Sequence, residues 1–378
     1  MTTPADSPAD SPAAPGPEAQ AQALGVRLFL GSLAAAELMA TYLGVQLGLY
    51  PALAAGPATA DELARRAGIG QRYAREWLEQ QAAAGLVEVD DPEAVPEQRR
   101  FRLPEGHRLA LAEPASPFYL APLTTLPVGG IAPALPRLVQ AIRAGAGVPA
   151  ADYGEPLRAA QRGMNRPVFE QLLAGWIRTA LPDLHQLLRR PGAAIADVGC
   201  GTGTAALVLA RTYPQARVHG FDRDPAAVAA ARAGVPAAAA GRVRFEVCDL
   251  ARTDPEAAGD GPAGGFDLVC VLDALHDMAN PVAVLTACRR LRRPGGAVLL
   301  MEPRAQERFT APAGDVERFL YAVSLLHCLP IGLSERPSAG TGAVLRPDTV
   351  RRYAAAAGFP RTTVLPVAHR FHRLYRLD

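Results

Sequence analysis

From Ala193 onward the chain repeats one phrase: a short apolar run, a glycine-rich turn, then a stretch of helical length. The runs 194–198, 216–221, 243–247, 266–272 and 297–301 read as strands, and 204–211, 225–233 and 281–291 as the helices between them. Alternation of this kind specifies an α/β fold with a doubly wound, mostly parallel sheet whose ligands sit just beyond the carboxyl ends of the strands. After an insertion from Pro303 to about Arg346, a helix over 348–357 leads to 362–368 and 371–376. These last two runs predict closing antiparallel strands, which bring the sheet to seven.

The first half has a different grammar. Residues 1 to about 20 mix Pro, Ala, Ser and Asp without periodicity and predict a disordered tail, because they offer too little apolar surface to offset the entropy of ordering. Leu28, Leu33, Leu38, Leu43 and Leu47 then recur at helical spacing within 23–55. Thr59-Ala-Asp-Glu62 is a capping-box pattern that opens a helix over 61–67, and a turn at Gly68-Ile-Gly70 leads to a second helix over 71–84. Two short strands, 85–89 and 100–103, complete a winged-helix outline. The expected organisation is a tail over 1–20, a mainly helical winged-helix domain over 21–110, a helical linker covering the substrate over 111–190, and a ligand-binding domain over 191–378.

A winged helix raises the question of DNA. The chain carries 39 basic residues, every one of them Arg, against 37 acidic residues, for a net charge of +2. That balance lacks the concentrated positive charge of a nucleic-acid binder, and the second helix sets Glu76 and Glu79 beside Arg72 and Arg75. The first domain is therefore expected to pack and dimerise, with no nucleic acid as partner. The absence of lysine removes Schiff-base, phosphate-loop and Ser-Lys chemistry in one step. Five well-separated cysteines hold no structural-zinc spacing and point to a reduced, cytoplasmic chain. No apolar run is expected to reach the ~18 residues of a membrane span.

The chemistry starts at Asp197-Val-Gly199-Cys-Gly201-Thr-Gly203, where the first strand of the repeat meets its helix. Glycines there let a ligand approach backbone N–H groups closely. A dinucleotide fingerprint beginning at Gly199 would place its third small residue at Thr204, one position later than the glycine found here. An acid just before the turn also suits an ammonium-bearing ligand better than a pyrophosphate. The acid followed by G-x-G-x-G resembles the first motif of the class I S-adenosylmethionine-dependent methyltransferases, over about residues 190–378. That resemblance implies a Rossmann-like domain binding S-adenosylmethionine. It gives Asp222, within Gly220-Phe-Asp-Arg223, the ribose hydroxyls; Asp249 and Leu250 the adenine; and Asp273, with the segment to His276, the closure of the pocket. The phrase Leu291-Arg-Arg-Pro-Gly-Gly296 is likewise typical of these enzymes. The two-domain order further resembles small-molecule O-methyltransferases and their actinobacterial relatives, and implies a homodimer formed through the first domain.

The reacting centre is expected at His276-Asp277, after the fourth strand. In the O-methyltransferases the matching His of an H-D-W sequence is the general base; here Met278 replaces the Trp. His327 lies 51 residues on, inside the insertion, and His276, Asp277 and His327 would form a facial triad for an octahedral metal. That pattern is similar to iron-containing C-methyltransferases of 2-oxo acids, which implies one iron or zinc ion stabilising an enolate. Metal-assisted C-methylation of a 2-oxo acid in secondary metabolism is the leading expectation. O-methylation of a hydroxylated aromatic or polyketide, with His276 as base, is the alternative; a ligand-sensing regulator and a fold that binds the donor without transfer stand lower. Glu302 is expected to orient His276 or act as an acid, Arg162 and Arg166 to clamp a substrate carboxylate, and Trp176, Met278 and Phe319 to line the acceptor pocket.

Overall fold

The computed structural model describes residues 15–253 and 264–378, which divide into two units, Met1–Glu113 and Pro114–Asp378. Residues 1–14 of the expected tail lie outside the described residues.

The first unit is mainly helical: α1 (Pro17–Gln46), α2 (Leu49–Ala54), α3 (Ala60–Ala67), α4 (Gln71–Ala83) and a two-stranded wing, β1 (Glu88–Val89) and β2 (Phe101–Arg102). The expected helix over 23–55 is split at Gly48, whose φ of +66° turns the chain between α1 and α2. Residues 17–20, expected in the tail, are helical. Pro17 is pre-set for the first helical turn, so Pro17–Gln20 belong to α1. The capping box forms as read: Glu62 N–H donates to Thr59 Oγ1 at 3.3 Å and Thr59 N–H to Glu62 Oε2 at 2.9 Å. On α4, Arg72 pairs with Glu76 and Arg75 with Glu79, so both guanidiniums are engaged by carboxylates one turn away. α1 overturns one expectation. This helix of 30 residues is long and apolar enough, by length and composition, to cross a bilayer, as is the stretch Asp315–Leu333 in the second unit. Asp315–Leu333 turns Leu320, Cys328 and Ile331 into its own domain, whereas α1 leaves Leu24, Val26, Leu28, Phe29, Leu30 and Leu33 exposed.

The second unit is built on a seven-stranded sheet. Its strands are β3 (Ala194–Val198), β4 (Arg217–Asp222), β5 (Val243–Val247), β6 (Phe266–Leu272), β7 (Arg292–Pro303), β8 (Thr362–Val364) and β9 (His372–Leu377), in the order β5-β4-β3-β6-β7-β9-β8. The pairs among β3 to β7 are parallel, and β9 runs antiparallel to both β7 and β8. β3 and β6 are buried along their whole length, as central parallel strands covered on both faces must be. Ile195, Leu268 and Leu299 pack to one side of the sheet, and Ala194, Val269 and Val298 to the other. β7 starts earlier than the expected 297–301, because Arg292 pairs with Phe266 across an irregularity in register. The chain leaves β3 toward β4 on one side and β6 lies on the other. That reversal opens a crevice at the carboxyl ends of the two central strands, where α/β sheets take their ligands.

Candidate active site

A cavity of about 610 Å³ occupies that crevice, and every residue on its wall belongs to the second unit. One end is the glycine turn. Gly199 (φ +72°) and Gly201 (φ +53°) both line it, in a backbone conformation that side chains rarely adopt. A Cβ on Gly199 would come within 2.9 Å of Ala274 Cβ, so the turn and the segment after β6 touch. A Cβ on Gly201 would meet no protein atom within 4 Å, which leaves open the face a ligand would fill. Gly203 (φ +80°) does not reach the wall; it caps the helix Thr204–Thr212 and packs on Phe245.

Three carboxylates follow around the wall. Asp222 is held by its own surroundings: Gly201 N–H donates to Oδ2 at 2.7 Å and Asp224 N–H to Oδ1 at 2.9 Å. Burial pushes its pKa up, and these two donors oppose the rise. Asp249 accepts Ala251 N–H at 3.0 Å, with Leu250 next to it on the wall. Asp273 is the non-glycine residue with a positive φ, +56°, among the described residues. Its N–H donates to Met301 O at 2.7 Å and its Oδ2 accepts Asn165 Nδ2 at 2.9 Å. Backbone strain kept at a cavity wall marks a position whose direction matters. Asp197 stands elsewhere. It lies off the wall, with Oδ2 buried and without a hydrogen-bond partner; burial pushes its carboxyl up to about 7 against the Ala206 N–H, which lowers it, with Asp222 adding a smaller push upward.

Asp277, Met278 and His327 also line the cavity, with Met278 Cε 3.1 Å from where a Cβ on Gly199 would stand. His276 is one layer behind them. Its Nδ1 lies 2.7 Å from Glu302 Oε2 and its Nε2 lies 3.4 Å from Asp277 Oδ1. Glu302, fully buried, also accepts Leu275 N–H at 3.0 Å, so β7 fixes the ring from below. Burial alone would lower the His276 imidazole, but Asp277 and Glu302 outweigh it and hold its pKa well above the usual histidine value.

His327 reaches the wall from a π-helical turn, Ser324–Cys328, a geometry frequent where an extra residue re-aims a functional side chain. Its ring lies edge-on to Tyr153 at 5.2 Å, Nδ1 is 3.4 Å from Cys328 Sγ, and Nε2 is buried without a partner. Asp277 Oδ1 is likewise buried without a hydrogen bond. Two orphaned donors with lone pairs fit a cation. Among the described residues, though, the group that brings three candidate ligand atoms within 4.8 Å of one another is His276, Asp277 and Cys328, with Cys328 where His327 was expected.

The remaining expected residues divide. Arg162 lines the cavity, 3.7 Å from Glu155, and Arg223 lines it beside Asp222. Arg166 pairs with Glu170 off the wall, Trp176 packs edge-on to His369 at 5.3 Å, and Phe319 is exposed. Cys328, Asn165, Arg252 and Glu335 were not singled out. Asn165 meets its partner 108 residues away, and nothing local in the chain announces such a contact.

Residues 189–329 match the family described as Methyltransferase domain, and residues 34–113 the Rv2258c-like winged HTH domain. Acetylserotonin O-methyltransferase of Mus musculus is 31% identical over 350 residues, covering 85% of this chain and 80% of that protein. The 3-hydroxy-5-methyl-1-naphthoate 3-O-methyltransferase of Streptomyces sahachiroi is 28% identical, covering 75% and 77%. Human N-acetylserotonin methyltransferase in complex with SAM shares the fold, with a TM-score of 0.63 at 18% identity over 93% of this chain and 97% of that one.

Proposed function

The chain belongs to the S-adenosylmethionine-dependent small-molecule O-methyltransferases, and from that premise we propose that it methylates a hydroxyl group on an aromatic or polyketide-like acceptor. The observation that carries this reading is that one cavity is lined by the glycine turn, by Asp222, Asp249 and Asp273, and by Asp277, with the His276–Glu302 pair directly behind Asp277. The turn 199–201, Asp222, Asp249, Leu250 and Asp273 would hold the donor, whose sulfonium supplies an electrophilic methyl group. Gly201 leaves the space such a ligand requires. On the acceptor side, Asp277 presents a carboxylate at the wall, 3.4 Å from His276 Nε2, while Glu302 fixes that ring through Nδ1. Asp277, the member of the cluster that reaches the wall, receives the hydroxyl proton as the O–CH3 bond forms and the donor's S–CH3 bond breaks, releasing the demethylated thioether. Incubating the protein with methyl-labelled donor and a panel of naphthols, catechols and hydroxyindoles should yield labelled methyl ethers; label appearing only on carbon, or only with 2-oxo acids, overturns the reading.

Metal-assisted C-methylation of a 2-oxo acid is the second reading, and the buried His327 Nε2, without a hydrogen-bond partner on the cavity wall beside Asp277, favours it. His276, Asp277 and either His327 or Cys328 would hold the iron or zinc ion, which would supply a Lewis acid beside the acceptor. Under the O-methylation reading, protein purified without chelator contains well under one equivalent of metal by mass spectrometry, and dipicolinate leaves transfer unchanged. Stoichiometric iron or zinc whose removal abolishes transfer would favour the second reading.

The exposed apolar face of α1 supports a homodimer formed through the first domain. Covering Leu28, Phe29 and Leu33 with a second copy would remove a patch that a soluble monomer rarely leaves open. The wild-type chain is expected to run as a dimer in light scattering, and the variant L28D/L33D as a monomer with its donor binding intact. A wild-type monomer at micromolar concentration refutes the dimer.

A further inference from the structure

The segment that follows the π-helical turn crosses the cavity and is fastened at both sides. On one side it meets the turn before Val148. Val148 N–H donates to Pro330 O at 3.0 Å and Arg336 Nη2 to Gly145 O at 2.6 Å. The two backbones approach so closely that a Cβ on Gly147 would fall 2.1 Å from Ser334 N. On the other side Glu335 reaches two guanidiniums at once. It pairs with Arg223 through Oε1, and Arg252 Nη2 stands 2.9 Å from Oε2.

The positions of those two arginines give the contact its meaning. Arg223 follows Asp222 directly and Arg252 comes three residues after Asp249, so each stands beside a carboxylate assigned to the nucleoside half of the donor. Glu335, Arg223 and Arg252 all line the same cavity. A single exposed ion pair contributes little, but one carboxylate shared by two guanidiniums fixes three chain segments in one geometry.

We propose that Glu335 is a positioning residue of the donor site: by pairing Arg223 and Arg252 it holds the segment 329–337 against the end of the cavity where Asp222 and Asp249 stand, and so sets how fast donor and demethylated product exchange. It also neutralises two positive charges flanking that end. The donor carries one more positive charge than the product, so Glu335 favours the donor over the product. A purely structural contact would not produce that difference. The inference rests on the donor-site reading above.

The test uses the full-length protein, with S-adenosylhomocysteine dissociation followed by stopped-flow fluorescence and both affinities by calorimetry, at about 50 and about 500 mM NaCl. Glu335→Gln is expected to release the product about tenfold faster than wild type at low salt, the equivalent of two partly exposed pairs. It is also expected to weaken the donor more than the product, and high salt should bring wild type toward the variant. Arg252→Gln, at a position two-thirds exposed and so safe for folding, should show a smaller effect in the same direction, and the double variant should be no faster than Glu335→Gln alone. Release at the wild-type rate by Glu335→Gln at both salts, or equal losses of donor and product affinity, overturns the proposal. Should the wild-type protein bind neither ligand, it is the donor-site reading that fails.

Discussion

Alanine at His276 is expected to reduce methyl transfer by roughly a hundred- to ten-thousandfold, the range of general-base catalysis, because the charged ring holds the Asp277 carboxylate that faces the acceptor. Donor affinity should stay within about threefold, because His276 sits one layer behind the wall and touches no part of the cavity reserved for the nucleoside. The substitution has a second consequence. Glu302 is fully buried and loses the stronger of its two donors, keeping Leu275 N–H alone. A buried carboxylate stripped of its cationic partner is destabilising, so the melting temperature should fall as well. Glutamine at Glu302 separates the two effects: it keeps the volume and one acceptor but no longer stabilises a charged ring. It should cost transfer about tenfold or more while the protein remains folded. Single-turnover rates measured alongside calorimetric donor binding check both variants. A His276→Ala protein that transfers within threefold of wild type would remove the cluster from the reaction.

The same cluster shows how far the residues alone could be read. Short apolar-rich runs between glycine turns and helices announce the parallel strands, and the residues of β3, β5 and β6 match the expected ranges to the residue. The glycine turn was legible for a local reason, since positive φ at Gly199, Gly201 and Gly203 demands glycine in consecutive alternate positions. His276 and Glu302 could each be proposed from their places after β6 and near the end of β7. Their 2.7 Å contact follows from the sheet, which sets those two strands side by side. Contacts that depend on the insertion were not legible. His327 enters the wall because a π-helical turn re-aims it, and the same turn brings Cys328 Sγ toward His276 and Asp277. Trp176 and Phe319 failed for the opposite reason. An aromatic residue at helical spacing faces whichever neighbour the tertiary fold supplies, here His369 for one and solvent for the other.

Asp222→Ala is expected to weaken the donor and its demethylated product by about a hundredfold, and the structure indicates why the loss should exceed that of one ligand contact. Each oxygen of this carboxylate already holds a backbone N–H, Gly201 on one side and Asp224 on the other. Gly201 carries a φ of +53° and the open face of the cradle, so the carboxylate proposed to hold the donor's sugar also holds the turn in shape. Removing it deletes the ligand contact and loosens the glycine turn in one step. Asparagine distinguishes these roles. Its Oδ1 can still accept Asp224 N–H, but its Nδ2 donates and cannot accept Gly201 N–H, so the turn loses its anchor while the volume is kept. Asp222→Asn should therefore fall close to Asp222→Ala in affinity and well below wild type. Calorimetric titration with S-adenosylhomocysteine decides the matter: an asparagine variant that binds within threefold of wild type would show that the anchored turn is dispensable and that the sugar contact alone carries the affinity.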